Sequence, residues 1–122
     1  MTARERIRHT AIGYLGKTVQ ITIDRPLGST HPKHRDIVYP VNYGFIEHTT
    51  GGDGEEIDVY LLGVDLPVKS YSAVIAGVVC REDDDEDKLI AAPNGISFTA
   101  DEMYREVEFQ EKYFDSHIEV LK

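Results

Sequence analysis

Residues 72–93 read SAVIAGVVCREDDDEDKLIAAP: an apolar run, an acidic turn and a second apolar run. Ser72–Cys80 is almost entirely small or β-branched, the composition of a strand covered on both faces. KLIAAP, Lys88–Pro93, answers it across the acids Glu82–Asp87 as a hairpin partner. Upstream, EIDVYLLG places Ile57, Val59 and Leu61 on one face of a strand and Asp58 and Tyr60 on the other. TVQITID (Thr18–Asp24) alternates with the same period of two, and Pro26, Gly28 and Pro32 break the segment after it. Downstream, Thr99 and Glu102 form a capping box. Met103, Val107, Gln110 and Phe114 follow at helical spacing and predict one mostly apolar helical face. The tail HIEVL alternates again and is expected to close the sheet. Five short strands and one late helix predict a mainly β, α+β fold, closed or partly open as a small barrel, because closure removes exposed strand edges.

At 122 residues the chain is expected to form one domain over residues 1–122. A domain of that size buries roughly two-thirds of its unfolded surface and needs no metal or disulfide staple. Apolar residues at 41% and charged residues at 29% fit a soluble globular protein. No apolar run approaches the roughly 18–20 residues of a membrane span. The N-terminal MTARERIRHTAIGYLG has no apolar core of the kind a secretory signal carries. One cysteine, Cys80, excludes an internal disulfide framework, and the cytoplasm is the expected compartment. With 22 acids against 13 bases the formal charge is −9, opposite to what a nucleic-acid or membrane-surface binder needs. An acidic protein that handles an anion must recruit cations to do so.

Three stretches carry chemistry. GDGEEID, Gly52–Asp58, crowds Asp53, Glu55, Glu56 and Asp58 around a glycine turn. Read alone it is an acidic hairpin turn, and it lacks the glycine and glutamate spacing of an EF-hand. Asp58, however, lies inside the strand pattern, where a carboxylate needs a partner or a metal. Glu82–Asp87 is a run of like charges that is ordinarily a solvated loop. Brought beside Asp53–Asp58 by a barrel, it would instead complete a site for two or more Mg²⁺. In VYPVNYGFIEH, Val38–His48, Tyr39 and Phe45 read as core, whereas Tyr43 beside Gly44 is placed to present a phenol to a ligand.

YPVNYGFIEHTTGGDGEEID resembles the signature region of the family I soluble inorganic pyrophosphatases, Tyr-Pro-x-Asn-Tyr-Gly followed by Asp-Gly-Asp-Pro-x-Asp. AGVVCREDDDEDKLIAAP and FQEKYF continue the likeness, which runs from about Thr18 onward. The resemblance implies an OB-like five-stranded barrel and Mg²⁺-dependent hydrolysis of pyrophosphate to two phosphates, with Mn²⁺ as a possible substitute. It places Asp53 and Asp58 on the activating metals, with Glu55 positioning or deprotonating the water. Asp83 matches the first carboxylate of the acidic loop. Glu86 matches the second if Lys88 is the family's loop lysine, with Asp84 and Asp85 competing. Asp24 falls near a family strand glutamate, also on the metal side. Tyr43 and Tyr113 match the two active-site tyrosines, and Lys88 and Tyr113 would contact phosphate.

The departures are specific. Glu55 stands where the family has Asp, and Phe114 stands where it has a lysine. Only LGSTHPKHRDIV separates Pro26 from Tyr39, too short for the family hairpin that carries a phosphate-binding lysine and arginine. Arg25, His31, Lys33, His34 and Arg35 offer substitutes. Besides an active pyrophosphatase, two other readings stay open: a degenerate relative that binds metal or phosphate with little turnover, and an OB-like binding module. The sequence leaves a homo-oligomer open as well.

Overall fold

The computed structural model describes residues 1–52 and 54–121. In chain order these form α1 (Ala3–Gly13), β1 (Thr18–Arg25), β2 (Asn42–Ile46), β3 (Ile57–Leu61), β4 (Ser70–Arg81), β5 (Lys88–Ala92), α2 (Ala100–Glu111) and β6 (Ser116–Val120). The strands run β1-β2-β3-β5-β4-β6 across the sheet, and a further pairing of β1 with β4 closes the first five into a barrel. All neighbours are antiparallel except β3 and β5. No described helix is long and apolar enough to cross a membrane.

Closure therefore falls to β1 and β4, paired from Thr18↔Val74 to Thr22↔Ser70, and not to the HIEVL tail. The twelve-residue β4 is long enough to serve two partners along one side. Its first half takes β1 and its second half, Gly77–Arg81, takes β6, so β6 extends the wall instead of sealing it. A register shift between Ile75 and Gly77 marks the changeover.

Period-two alternation sorts the apolar residues into two clusters. Val59, Leu61, Val78, Cys80, Leu89 and Ala91 fill one with Ile21, Ile23 and Ile75. Their neighbours Tyr60, Leu62, Val79 and Ile90 fill the other, beneath Met103 and Val107 of α2. The first is the barrel interior and the second is the layer between barrel and helix. Because α2 covers that wall, Gly77–Cys80 at the end of β4 is buried on both faces, whereas Ser72–Ala76 alternates buried residues with exposed or half-buried ones, so the expected double cover holds only for the second half of Ser72–Cys80.

Two elements go beyond the sequence expectation. β2 forms from NYGFI, and α1 forms at the N-terminus behind its own capping box of Thr2 and Glu5. The end of α1 enters the barrel core through Ala11, with Ile12, Tyr14 and Leu15 packed beside it. At Gly44 of β2 a Cβ would collide with the Thr22 carbonyl of β1, so the two strands approach this closely only over glycine. Helix α2 starts at the predicted Thr99–Glu102 capping box but stops at Glu111. Phe114 is consequently off the helical face assigned to it.

Candidate active site

Asp58 reaches the outside of the barrel because its neighbours Ile57 and Val59 turn inward. Lys88 faces outward for the same reason beside Leu89. The parallel register Val59↔Leu89 sets these two outward residues next to each other. Lys88 Nζ donates to Asp58 Oδ2 at 2.5 Å and also bonds Glu86 Oε1. Lys88 and Glu86 are buried and Asp58 is half-buried. A carboxylate from the strand after the glycine turn and one from the acidic hairpin thus share a single cationic group. They do so in the wall of a cavity of about 480 Å³.

Tyr43, Arg25, His31, His34, Arg81 and Tyr113 also line this cavity. Burial raises the Tyr43 phenol well above its ordinary value, and the charge of and hydrogen bond to Asp58 raise it further. Tyr43 is therefore a hydrogen-bond donor here and not a base. His31 Nδ1 accepts the amides of Lys33 and His34 at 3.1 and 3.2 Å. That arrangement puts the proton of the neutral ring on Nε2. Partial burial, followed by Arg25, His34 and Lys33, lowers the His31 pKa and favours this neutral form.

The cavity walls are tied together by a partly buried chain of hydrogen bonds. Arg25 donates to the Tyr39 hydroxyl at 2.5 Å, and that hydroxyl donates to Gln110 Oε1 at 3.1 Å. Gln110 Nε2 donates to the Tyr60 hydroxyl, which donates to Glu111 Oε2, both at 2.7 Å. Glu111 then accepts Arg81 Nε at 3.0 Å and Nη2 at 2.6 Å. Arg81 closes the chain on Asp84 at 2.6 Å and stacks on Phe114, with its guanidinium carbon 3.7 Å from the ring centre. Every link has a donor facing an acceptor, the condition for burying polar groups without a large penalty.

Of the residues singled out by sequence, Asp58, Glu86, Lys88, Tyr43, Arg25, His31 and Tyr113 meet at this cavity. Others lie elsewhere. Glu55 is exposed in the turn before β3, and Asp83 is exposed with its carboxylate on the Asp115 amide. Arg35 is exposed on the loop before Tyr39. Asp24 is at the end of β1; desolvation raises its carboxyl against the opposing charge of Arg25, and Asp58 and Glu56 add to the rise. Asp53 lies outside the described residues. The backbone does bring the two acidic stretches together, since a Cβ on Gly52 would strike the Asp85 carbonyl.

Sequence reasoning missed Arg81 and Glu111. Helical spacing from Met103 and Val107 places Glu111, four residues on, on the buried face of α2. A carboxylate at such a position requires a cationic partner.

Among the described residues, no three His, Cys, Asp or Glu side chains converge as a ready cation cage. Mg²⁺ does not require one, because it keeps several waters and is held by one or two carboxylates with substrate oxygens. Asp58 and Glu86, already sharing a cationic group, have the donor chemistry that fits it.

A family model for inorganic pyrophosphatase matches residues 14–119. The inorganic pyrophosphatase of Campylobacter jejuni is 34% identical over 79 residues, covering 61% of this chain and 42% of its own length. That of Mesorhizobium japonicum is 31% identical over 86 residues, covering 65% and 49%. The matched segment thus spans less than half the length of these curated relatives. Among solved structures, an inorganic pyrophosphatase from Ehrlichia chaffeensis superposes with a TM-score of 0.68 at 22% identity, over 87% of each chain. One from Neisseria gonorrhoeae gives 0.61 at 22% identity, over 80% of this chain and 74% of its own. With the barrel, the signature stretches and the family match in agreement, the chain belongs to the inorganic pyrophosphatase family.

Proposed function

We propose that this chain, acting as one domain over residues 1–122 in the cytoplasm, hydrolyses inorganic pyrophosphate to two phosphates. We take the cofactor to be Mg²⁺, with Mn²⁺ as a substitute. The observation that supports this most is the meeting of Asp58 and Glu86 around one cationic group, in a cavity that Arg25 and His31 also line. Asp58 and Glu86, which line the cavity, are the first residues assigned to hold the cation, and Asp53, Asp83 and Asp24 are assigned as further carboxylates on the sequence match alone. When bound, a divalent cation supplies charge neutralisation for a tetra-anion and a water of lowered pKa.

The chain's own residues do the rest. Water adds to one phosphorus while the bridging P–O bond breaks, and its electron pair leaves with the second phosphate. Glu55, exposed in the turn before β3 and not part of the cavity lining, is assigned the proton of that water on the signature match alone. Tyr43, protonated at all ordinary pH, donates to a phosphoryl oxygen or to Asp58 and cannot compete as a nucleophile. Arg25 and His31, which line the cavity, take the place of the cationic contacts that the short Pro26–Tyr39 segment lacks, Arg35 is assigned with them from the sequence alone, and Lys88 and Tyr113 hold the other phosphate.

Phosphate release from pyrophosphate, followed while Mg²⁺ is titrated, tests this reading. A rate that rises with Mg²⁺ and saturates is expected, with Arg25→Ala raising KM. A rate at the uncatalysed background across the titration rejects it.

A further inference from the structure

The acidic turn between β4 and β5 delivers Glu86 to the cavity, yet its like charges repel one another. On the face away from the cavity, α1 lies against it. The Asp87 side chain is fully buried there. Its carboxylate accepts Arg4 Nη1 at 3.1 Å and Nη2 at 2.5 Å, Arg8 Nε at 2.8 Å and Nη2 at 3.1 Å, and the Arg81 amide at 2.9 Å. The same two guanidiniums hold the backbone. Arg4 donates to the carbonyls of Arg81 at 2.6 Å and Asp84 at 3.1 Å, and Arg8 donates to the Arg81 carbonyl at 3.1 Å. Arg8 also reaches Glu82 Oε1 at 3.2 Å. Both ends and the middle of the turn are therefore fastened to one helix.

Asp87 points toward α1, while its neighbours Glu86, in the turn, and Lys88, the first residue of β5, line the cavity. Fixing residue 87 fixes the direction of 86 and 88. Burial opposes ionisation of Asp87, but the hydrogen bonds from Arg4, Arg8 and the Arg81 amide outweigh it and hold the carboxyl below its ordinary value. Helix α1, Ala3–Gly13, precedes the segment matched by the family model, which begins at residue 14.

We propose that Arg4 and Arg8 are positioning residues for the site: through Asp87 and the carbonyls of Arg81 and Asp84 they clamp the acidic turn so that Glu86 and Lys88 face the cavity. The clamp itself needs no ligand; its effect on cation and substrate rests on the pyrophosphatase reading above.

Arg4→Gln/Arg8→Gln in the full chain tests it on two readouts. Amide hydrogen exchange of residues 82–88 is expected to accelerate by about tenfold or more while β1–β3 keep their protection. Mn²⁺ affinity, measured by calorimetry, is expected to fall about 10–100-fold, the usual effect of removing a partner that orients a metal ligand. The Mg²⁺ needed for half-maximal turnover should rise with it, and kcat at saturating Mg²⁺ should change much less. Arg6→Gln, on the same helix but with its side chain bonded among the described residues only to the Met1 carbonyl, is the control and should match wild type. If the double variant does not fold, Asp87→Asn, close in shape, carries the same expectations. Unchanged exchange at 82–88 overturns the proposal. So does wild-type Mn²⁺ affinity in a variant whose turn has loosened, or loss of protection spread evenly over the barrel. A wild type without pyrophosphate hydrolysis overturns the preceding reading instead, and the exchange comparison still decides the clamp.

Discussion

Asn42, in the middle of the Tyr-Pro-x-Asn-Tyr-Gly signature, is fully buried and faces no part of the cavity. Its Oδ1 accepts the amides of Leu27 and Val68 at 3.0 and 3.3 Å, and its Nδ2 donates to the Leu66 carbonyl at 2.9 Å. It joins the turn after β1 to the loop between β3 and β4, two segments with no ladder between them. Asn42→Ala is expected to cost about 1–3 kcal/mol for each backbone group left buried and unpaired, read from urea denaturation. Cys80 gives a second residue-scale test. Burial pushes its thiol up to about 11. An unfolded thiol titrates near 8.5, so above that pH the unfolded state loses a proton that the folded state keeps. Stability from this group is complete below about pH 8.5 and declines as pH rises toward 11. Cys80→Ser should flatten that alkaline limb of the stability curve. In the native protein at pH 8, Cys80 should resist alkylation until denaturant is added.

At the scale of elements, α2 does more than cover the barrel. Glu111 from its last turn pairs with Arg81 of β4, both buried, and the pair ends the polar chain that begins at Arg25. Removing Glu111 leaves the buried Nε and Nη2 of Arg81 without their acceptor, with Asp84 still on Nη1. Glu111→Ala is expected to destabilise by about 3–5 kcal/mol, whereas the helix-cap change Thr99→Ala should cost about 1 kcal/mol. Thermal unfolding of the two variants side by side checks the ordering. The two helices also differ in how far sequence exposes them. For α2 the capping box is followed by Met103 and Val107, both of which are buried. For α1 an equally complete capping box of Thr2 and Glu5 is followed by charged residues, and only Ala11 is buried. Its partners are acids some eighty residues away, which no local period can reveal. β2 stayed hidden for a different reason: Gly44, a poor strand former, interrupts the signal of Tyr43, Phe45 and Ile46, and the glycine is required by the nearness of β1.

For the whole molecule, closure into a barrel was legible because several alternating strands with little helix leave few other ways to remove edges. The partner of each strand was not. Which strand seals the barrel depends on the length of β4 and its register shift, and those emerge only when three strands are placed together. The site divides in the same way. Its carboxylates could be listed from GDGEEID and EDDDED, because their spacing follows a family pattern. The contact of Asp58 with Lys88 required the parallel register of β3 and β5, a relation between residues thirty apart. On the proposed function, this barrel wall is a working pyrophosphatase site. Phosphate release from pyrophosphate in saturating Mg²⁺, compared between the native chain and Asp58→Asn, tests it most directly. Clear turnover is expected in the native chain, with a fall of about a hundredfold or more in the variant, at least the loss expected when a metal ligand's support is removed. Equal rates in the two proteins, both at the uncatalysed background, would contradict it.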